Sequence, residues 1–173
     1  MNAPEFSRLE RIDTIGEPRT VSIEADEAER AALARRFDLI AIDRLAGDFT
    51  IRREAAGIAV EGRVTATLTQ ACSVTGDLLP ATIDEPVVLR FVAASDAAVE
   101  EVELGDGDLD VITYDGGAID LGETAAETMA LTLDSFPRGP RGKAALKAAG
   151  VIGEEEAGPF GALAGLKDKL AGK

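Results

Sequence analysis

The chain has 173 residues, 32 of them acidic against 18 basic, and a formal net charge of -14 with no histidine. That length suits one domain with trimmings, and the charge opposes non-specific nucleic-acid binding, which needs clustered Lys and Arg. A single cysteine excludes an intramolecular disulfide, and no apolar run reaches the ~20 residues of a membrane span.

The start, Met1-Asn2-Ala3-Pro4-Glu5-Phe6, has neither the apolar run nor the cleavage pattern of a signal peptide, so a cytoplasmic location is expected. Phe6 to Ile23 is strand-prone, with Val21 and Ile23 alternating with polar residues. Asp26 followed by Glu29 resembles a capping box and opens a helix over Glu27 to Asp38, whose apolar face holds Leu33 and Phe37. Ile40 with Ile42, and Phe49 with Ile51, predict two short strands. Ile58, Val60, Gly62, Val64, Ala66 and Leu68 then occupy every second position, with a Thr-rich set between them. A period of two over that length is a strand with one buried face. Val87, Leu89 and Phe91 repeat the pattern.

From Ala93 to Thr113 the character changes. Asp96, Glu100, Glu101, Glu103, Asp106, Asp108 and Asp110 fall there with no Lys or Arg, the composition of a self-repelling loop. Tyr114 to Gly117 reads as a turn. Asp120 with Glu123 is a second capping-box candidate, starting a helix to about Leu131 with Leu121, Ala125 and Met129 four apart. Pro137 and Pro140 then open a Gly/Ala-rich tail bearing Arg138, Arg141, Lys143 and Lys147. Phe160, Leu163, Leu166 and Leu170 recur every three or four residues near its end, an amphipathic turn or two.

The expected fold is α+β. A curved antiparallel sheet, or partial barrel, carries two or three packed helices, an acidic loop at about 94–113 and a C-terminal tail. The domain is expected over residues 1–136 and the tail over 137–173.

Residue chemistry supports no catalytic, cofactor or metal residue. Cys72 has no histidine to act as base, and Gln70, Ala71, Ser73 and Val74 bring no charge to favour a thiolate. One Cys without His cannot furnish the ligands of a zinc site. The Asp106-Gly107-Asp108-Leu109-Asp110 run lacks the Gly and Glu of a calcium loop, holding Val111 and Gly117 at those positions. Glycines 105, 107, 116 and 117 lie among carboxylates, which repel a nucleotide. No cofactor and no small-molecule substrate are therefore expected.

Three segments together resemble the YceD family, long labelled a domain of unknown function. Val60-Glu61-Gly62-Arg63-Val64 running into Thr69-Gln70-Ala71-Cys72-Ser73-Val74-Thr75 resembles its strand and Cys-bearing turn, in a form similar to the alphaproteobacterial branch. Ile119-Asp120-Leu121 is similar to its entry into a helix, and Pro159-Phe160-Gly161-Ala162-Leu163 through Leu166-Lys167 to its ending. The resemblance spans about Val60 to Lys167. It implies a role in synthesis, processing or accumulation of large-subunit ribosomal RNA, with no catalytic residue. Many relatives carry Cys-x-x-Cys at the turn; Thr75 stands where the second Cys would be, which favours a structural role for Cys72, Thr75 and Asp120.

The charge adds a partner class. The acidic residues Asp96 to Asp110 are expected to meet a basic ribosomal protein or assembly factor, with Phe160, Leu163, Leu166 and Leu170 docking as a short helix into a groove or folding back on the sheet. Alternatively, Arg138, Arg141, Lys143 and Lys147, or the Thr-lined sheet face, contact ribosomal RNA. A cryptic hydrolase would require a deep pocket with convergent polar groups.

Overall fold

The computed structural model describes residues 4–94 and 110–151. In chain order these form β1 (Leu9–Arg11), a 3-10 turn (Ile12–Thr14), β2 (Arg19–Glu24), α1 (Glu27–Arg36), β3 (Ala41–Glu54), β4 (Gly57–Ala71), β5 (Leu78–Ala93), β6 (Asp110–Tyr114), β7 (Ala118–Asp120), α2 (Leu121–Thr132) and α3 (Pro140–Ala148). Two compact units result, Met1–Gln70 with Pro80–Asp134, and Ala71–Leu79 with Ser135–Lys173. Among the described residues no helix is long and apolar enough to cross a membrane.

The first unit is α+β. Its five-stranded sheet runs β2-β3-β4-β5-β6, and β1 with β7 makes a separate two-stranded pair. β2 and β4 both lie antiparallel to β3, but β6 is parallel to β5. The sheet is therefore mostly, not wholly, antiparallel. Asp110 to Thr113, expected in the acidic loop, belong to β6: Leu89 pairs with Asp110 and Val92 with Thr113. Because β6 covers only Leu89–Ala93, the earlier part of β5 has no such neighbour among the described residues. Pro80 and Pro86 fall in that part, where a missing N–H is tolerated and blocks strand addition.

The two short strands expected around Ile42 and Phe49 are one strand, β3. A bulge between Ile42 and Arg44 shifts the phase by one residue, so Ile42 and Leu45 both face the core. That shift breaks the alternation that would have announced a single strand. Ile40, expected with them, precedes β3 and is exposed. On β4 the alternation holds: Val64, Ala66 and Leu68 are buried. Gly62 pairs with Phe49, and a Cβ there would lie 2.1 Å from the Asp48 carbonyl oxygen. Only glycine allows β3 and β4 to approach so closely at that register.

Both helices of this unit pack on β3. α1 contributes Leu33 and Ala34, and α2 contributes Leu121, Ala125, Ala126 and Met129, all to one core with Phe6, Phe49, Ile51, Ile58 and Val60. The Asp26–Glu29 capping box forms reciprocally, each side chain accepting the other's backbone N–H at 2.8 Å. Arg8 adds a two-pronged grip on Glu29 at 2.7 and 2.9 Å, which chiefly holds that carboxyl below its ordinary range. α1 stops at Arg36, short of the expected Asp38, which takes a positive φ of 53°.

Asp120 caps α2 and also holds two donors from outside the helix. Its carboxylate accepts the N–H groups of Gly122 and Glu123, the Arg8 N–H at 2.7 Å and the Ser7 hydroxyl at 2.6 Å. The N-terminal segment is thereby tied to the helix across more than a hundred residues of sequence. A reciprocal capping box does not form. Glu123 turns instead to Arg36, whose guanidinium it meets at 2.6 and 2.9 Å.

Candidate functional site

The second unit holds the Cys-bearing turn and the basic stretch together. Cys72 to Asp77 closes on itself: the Cys72 N–H donates to the Asp77 carbonyl and the Gly76 N–H to the Cys72 carbonyl, each at 2.8 Å. Gly76, with φ +71°, supplies the left-handed residue the turn requires. Ser73 donates both its N–H (2.8 Å) and its hydroxyl (3.1 Å) to the Pro137 carbonyl, fixing the chain between Phe136 and Arg138.

α3 was expected only as tail, and its sequence explains why it forms. Pro140 sits at the first helical position, where its missing N–H costs nothing, and Lys143-Ala144-Ala145-Leu146-Lys147-Ala148 are strong helix formers. Gly142 is the seat of the helix. A Cβ there would come 2.7 Å from Cys72 Sγ and 3.4 Å from Val74 Cβ. Arg141 reaches Asp77 at 2.9 Å, while the Thr75 hydroxyl donates to the other Asp77 oxygen at 2.8 Å.

Cys72 is buried, 3% exposed, which opposes a thiolate. Hydrogen bonding outweighs that. The Thr75 side chain is the largest cause, its one hydroxyl proton being a rotor that turns from Asp77 to the sulfur, and the N–H groups of Gly139, Val74 and Thr75 add to it, bringing the thiol to about 7. Thr75 thus occupies a ligand-like position beside the sulfur but brings one hydroxyl, not a second thiolate. One thiol and one hydroxyl do not compose a zinc site, and the described residues contain no group of three or more Cys, Asp or Glu able to hold a metal.

Arg138, Arg141, Lys143 and Lys147 are exposed. Of the four, only Arg141 has a carboxylate partner among the described residues. The sheet face that carries Thr65, Thr67 and Thr69 also carries arginines that are already paired. Arg52 pairs with Glu54 and Glu61, Arg63 with Asp84, Arg44 with Glu24, and Arg90 with Glu54. Cations already matched by carboxylates offer little to a phosphate.

A groove of about 300 Å³ in the first unit is lined by Ala31, Ala34, Leu39, Ile40, Ala41 and Ile42, together with Glu27, Arg30 and Arg35. It contains no hydroxyl, thiol or imidazole, so it does not supply the convergent nucleophile and base of a hydrolase.

The structure brings Cys72, Thr75, Arg138, Arg141, Lys143 and Lys147 into one unit, and places Asp110 and Asp120 in the other. Asp96, Glu100, Glu101, Glu103, Asp106 and Asp108, with Phe160, Leu163 and Leu166, lie outside the described residues. Sequence reasoning passed over Asp77, which ties the turn to α3, and Phe136, which is 69% exposed. Pro140 was the available signal for the helix start.

A family model described as large ribosomal RNA subunit accumulation protein YceD matches residues 60–167, well over half of the chain. No curated protein and no solved structure gives a significant match.

Proposed function

Since the chain belongs to the YceD family of large ribosomal RNA subunit accumulation proteins, we propose that it supports large-subunit ribosomal RNA accumulation without catalysing a reaction. In this reading it works in the cytoplasm and engages a basic ribosomal protein or assembly factor. One observation carries the reading. Asp96, Glu100, Glu101, Glu103, Asp106, Asp108 and Asp110 are unbroken by any Lys or Arg, in a chain whose Arg44, Arg52, Arg63 and Arg90 are already matched by carboxylates. The net charge of the molecule is negative, and complementary charge steers a cationic partner to it. Phe160, Leu163 and Leu166 would add an apolar contact to the same partner.

Affinity purification from lysate at low salt tests this, with proteins and RNA both identified. A basic large-subunit protein or assembly factor is expected, and is expected to disappear when the seven acidic residues become Asn or Gln. Recovery of no such protein would overturn the proposal.

A second reading has its own support. Arg138, Arg141, Lys143 and Lys147 lie exposed in a stretch from Ser135 to Ala148 that contains no acidic residue, a local reversal of the overall charge. Contact between these four and ribosomal RNA is compatible with an acidic chain, because screening limits repulsion from charges farther than about 8 Å at physiological salt.

A further inference from the structure

We propose that the free edge of β6, Asp110–Tyr114, receives an extended basic segment of a protein partner as an added strand. The proposal rests on the basic-partner reading of the function and says how part of that partner is held.

Among the described residues the five-stranded sheet has three stretches of open edge, and two of them are guarded. At one end lies β2, where the Arg8 guanidinium donates to the Glu24 carbonyl at 3.2 Å and Arg19 pairs with Glu10. Along β5, the part that β6 leaves uncovered carries Pro80 and Pro86, which lack the N–H an incoming strand needs. At the other end lies β6, which pairs among the described residues with β5 alone. It holds no proline, glycine, lysine or arginine. Val111, Ile112, Thr113 and Tyr114 are of the types that favour extended chain. Along a strand, successive residues aim their N–H and C=O groups to opposite sides, so about half of those in β6 point away from β5.

The side chains alternate as well. Ile112 and Tyr114 pack against the core, whereas Val111, at 51% exposure, and Thr113 face solvent. An added strand extends both rows, one apolar and one wet. A segment that alternates β-branched residues with cations suits that edge.

Charge decides the occupant. Exposed carboxylates, Asp110 and Asp115, stand at the two ends of the strand, and the chain's net charge is -14. A second copy would bring like charges together, which opposes pairing across strands. The same acids attract Lys and Arg. One device therefore rejects self-association and admits a cationic strand. Main-chain hydrogen bonds supply the hold, and the alternating side chains set the preference.

Fluorescence anisotropy on the full chain tests the proposal with labelled peptides of about seven residues, long enough to span β6 at ~3.3 Å per residue. One alternates lysine with valine; the other, of equal charge, alternates lysine with proline. The valine peptide is expected to bind about 10-fold more tightly. With it bound, alternate amides between Asp110 and Tyr114 should exchange more slowly, while those of β2 stay unchanged. Val111→Lys combined with Thr113→Lys sets cations beside the peptide's own and should weaken the valine peptide about 10-fold. Amide protection in β3 and β4 shows that this variant folds. Equal binding of both peptides, with β6 amides unchanged, would overturn strand addition and leave the basic-partner reading standing. If neither peptide binds at low salt, both fall. Slowing of β6 amides with protein concentration alone would overturn the basic occupant in favour of a second copy.

Discussion

On the outer face of the sheet, Arg44, Arg52, Arg63 and Arg90 each meet a carboxylate within 3.6 Å. Between Ser135 and Ala148, only Arg141 of four cations meets a carboxylate, Asp77, among the described residues. The residue types are alike, but the first set closes its charges within the molecule and the second leaves them open. Cation count alone therefore says little about where this protein meets others. What matters is whether a cation has a nearby acid of its own, and strand register supplies one wherever opposite charges fall on neighbouring strands.

That contrast can be broken in several places. The largest expected effect lies in the closed region, at Asp120. Asp120→Ala removes a cap and strands the Ser7 and Arg8 donors, and should cost about 2–4 kcal/mol by urea unfolding. Next comes Gly142→Val in the open region, where the new side chain must displace Cys72 Sγ or Val74. About 1–3 kcal/mol of local stability should go, read as faster amide exchange along α3 while β3 and β4 stay protected.

Smaller effects sharpen the comparison. Thr75→Val should raise the Cys72 thiol from about 7 toward its ordinary value, followed by thiolate ultraviolet absorbance against pH. An unchanged midpoint would remove Thr75 from its place beside the sulfur. Acidification should weaken the closed region first. Arg8 lowers Glu29 and Arg52 lowers Glu61 below the ordinary 4.5, so their contribution is complete above that pH and fades as pH falls through the lowered values. Glu127 opposes this slightly, because burial raises its carboxyl and its contribution is lost as pH rises. Smallest is Arg63→Gln, an exposed pair with Asp84, for which no resolvable change in unfolding midpoint is expected.

Local signals were legible in the sequence, and distant partners were not. The alternation from Ile58 to Leu68 marked β4 because one face is buried while the other, Ala59 apart, is not. Asp26 and Glu29 announced their cap because both halves lie within one turn. The similar pair Asp120 and Glu123 misled by half, since Arg36, 87 residues away, takes the Glu123 side chain. β3 looked like two strands because its bulge reverses the phase of its apolar residues. β6 was hidden at the end of an acidic run, its pairing to β5 being parallel and therefore not signalled by any hairpin turn. In the candidate site, composition singled out Arg138, Arg141, Lys143 and Lys147, which are exposed. It did not reveal that Phe136 is exposed, because exposure depends on where Ser73 and the two prolines hold the chain.

Cells carrying a deletion of this gene, complemented in turn, test the central claim most directly through the ratio of large- to small-subunit ribosomal RNA. The deletion should lower the ratio and the wild-type chain should restore it. A chain with Asp96, Glu100, Glu101, Glu103, Asp106, Asp108 and Asp110 changed to Asn or Gln should fold yet fail to restore it, whereas Arg63→Gln should restore it fully. A ratio that is unchanged by the deletion, or restored equally by the acid-neutralised chain, would contradict the account.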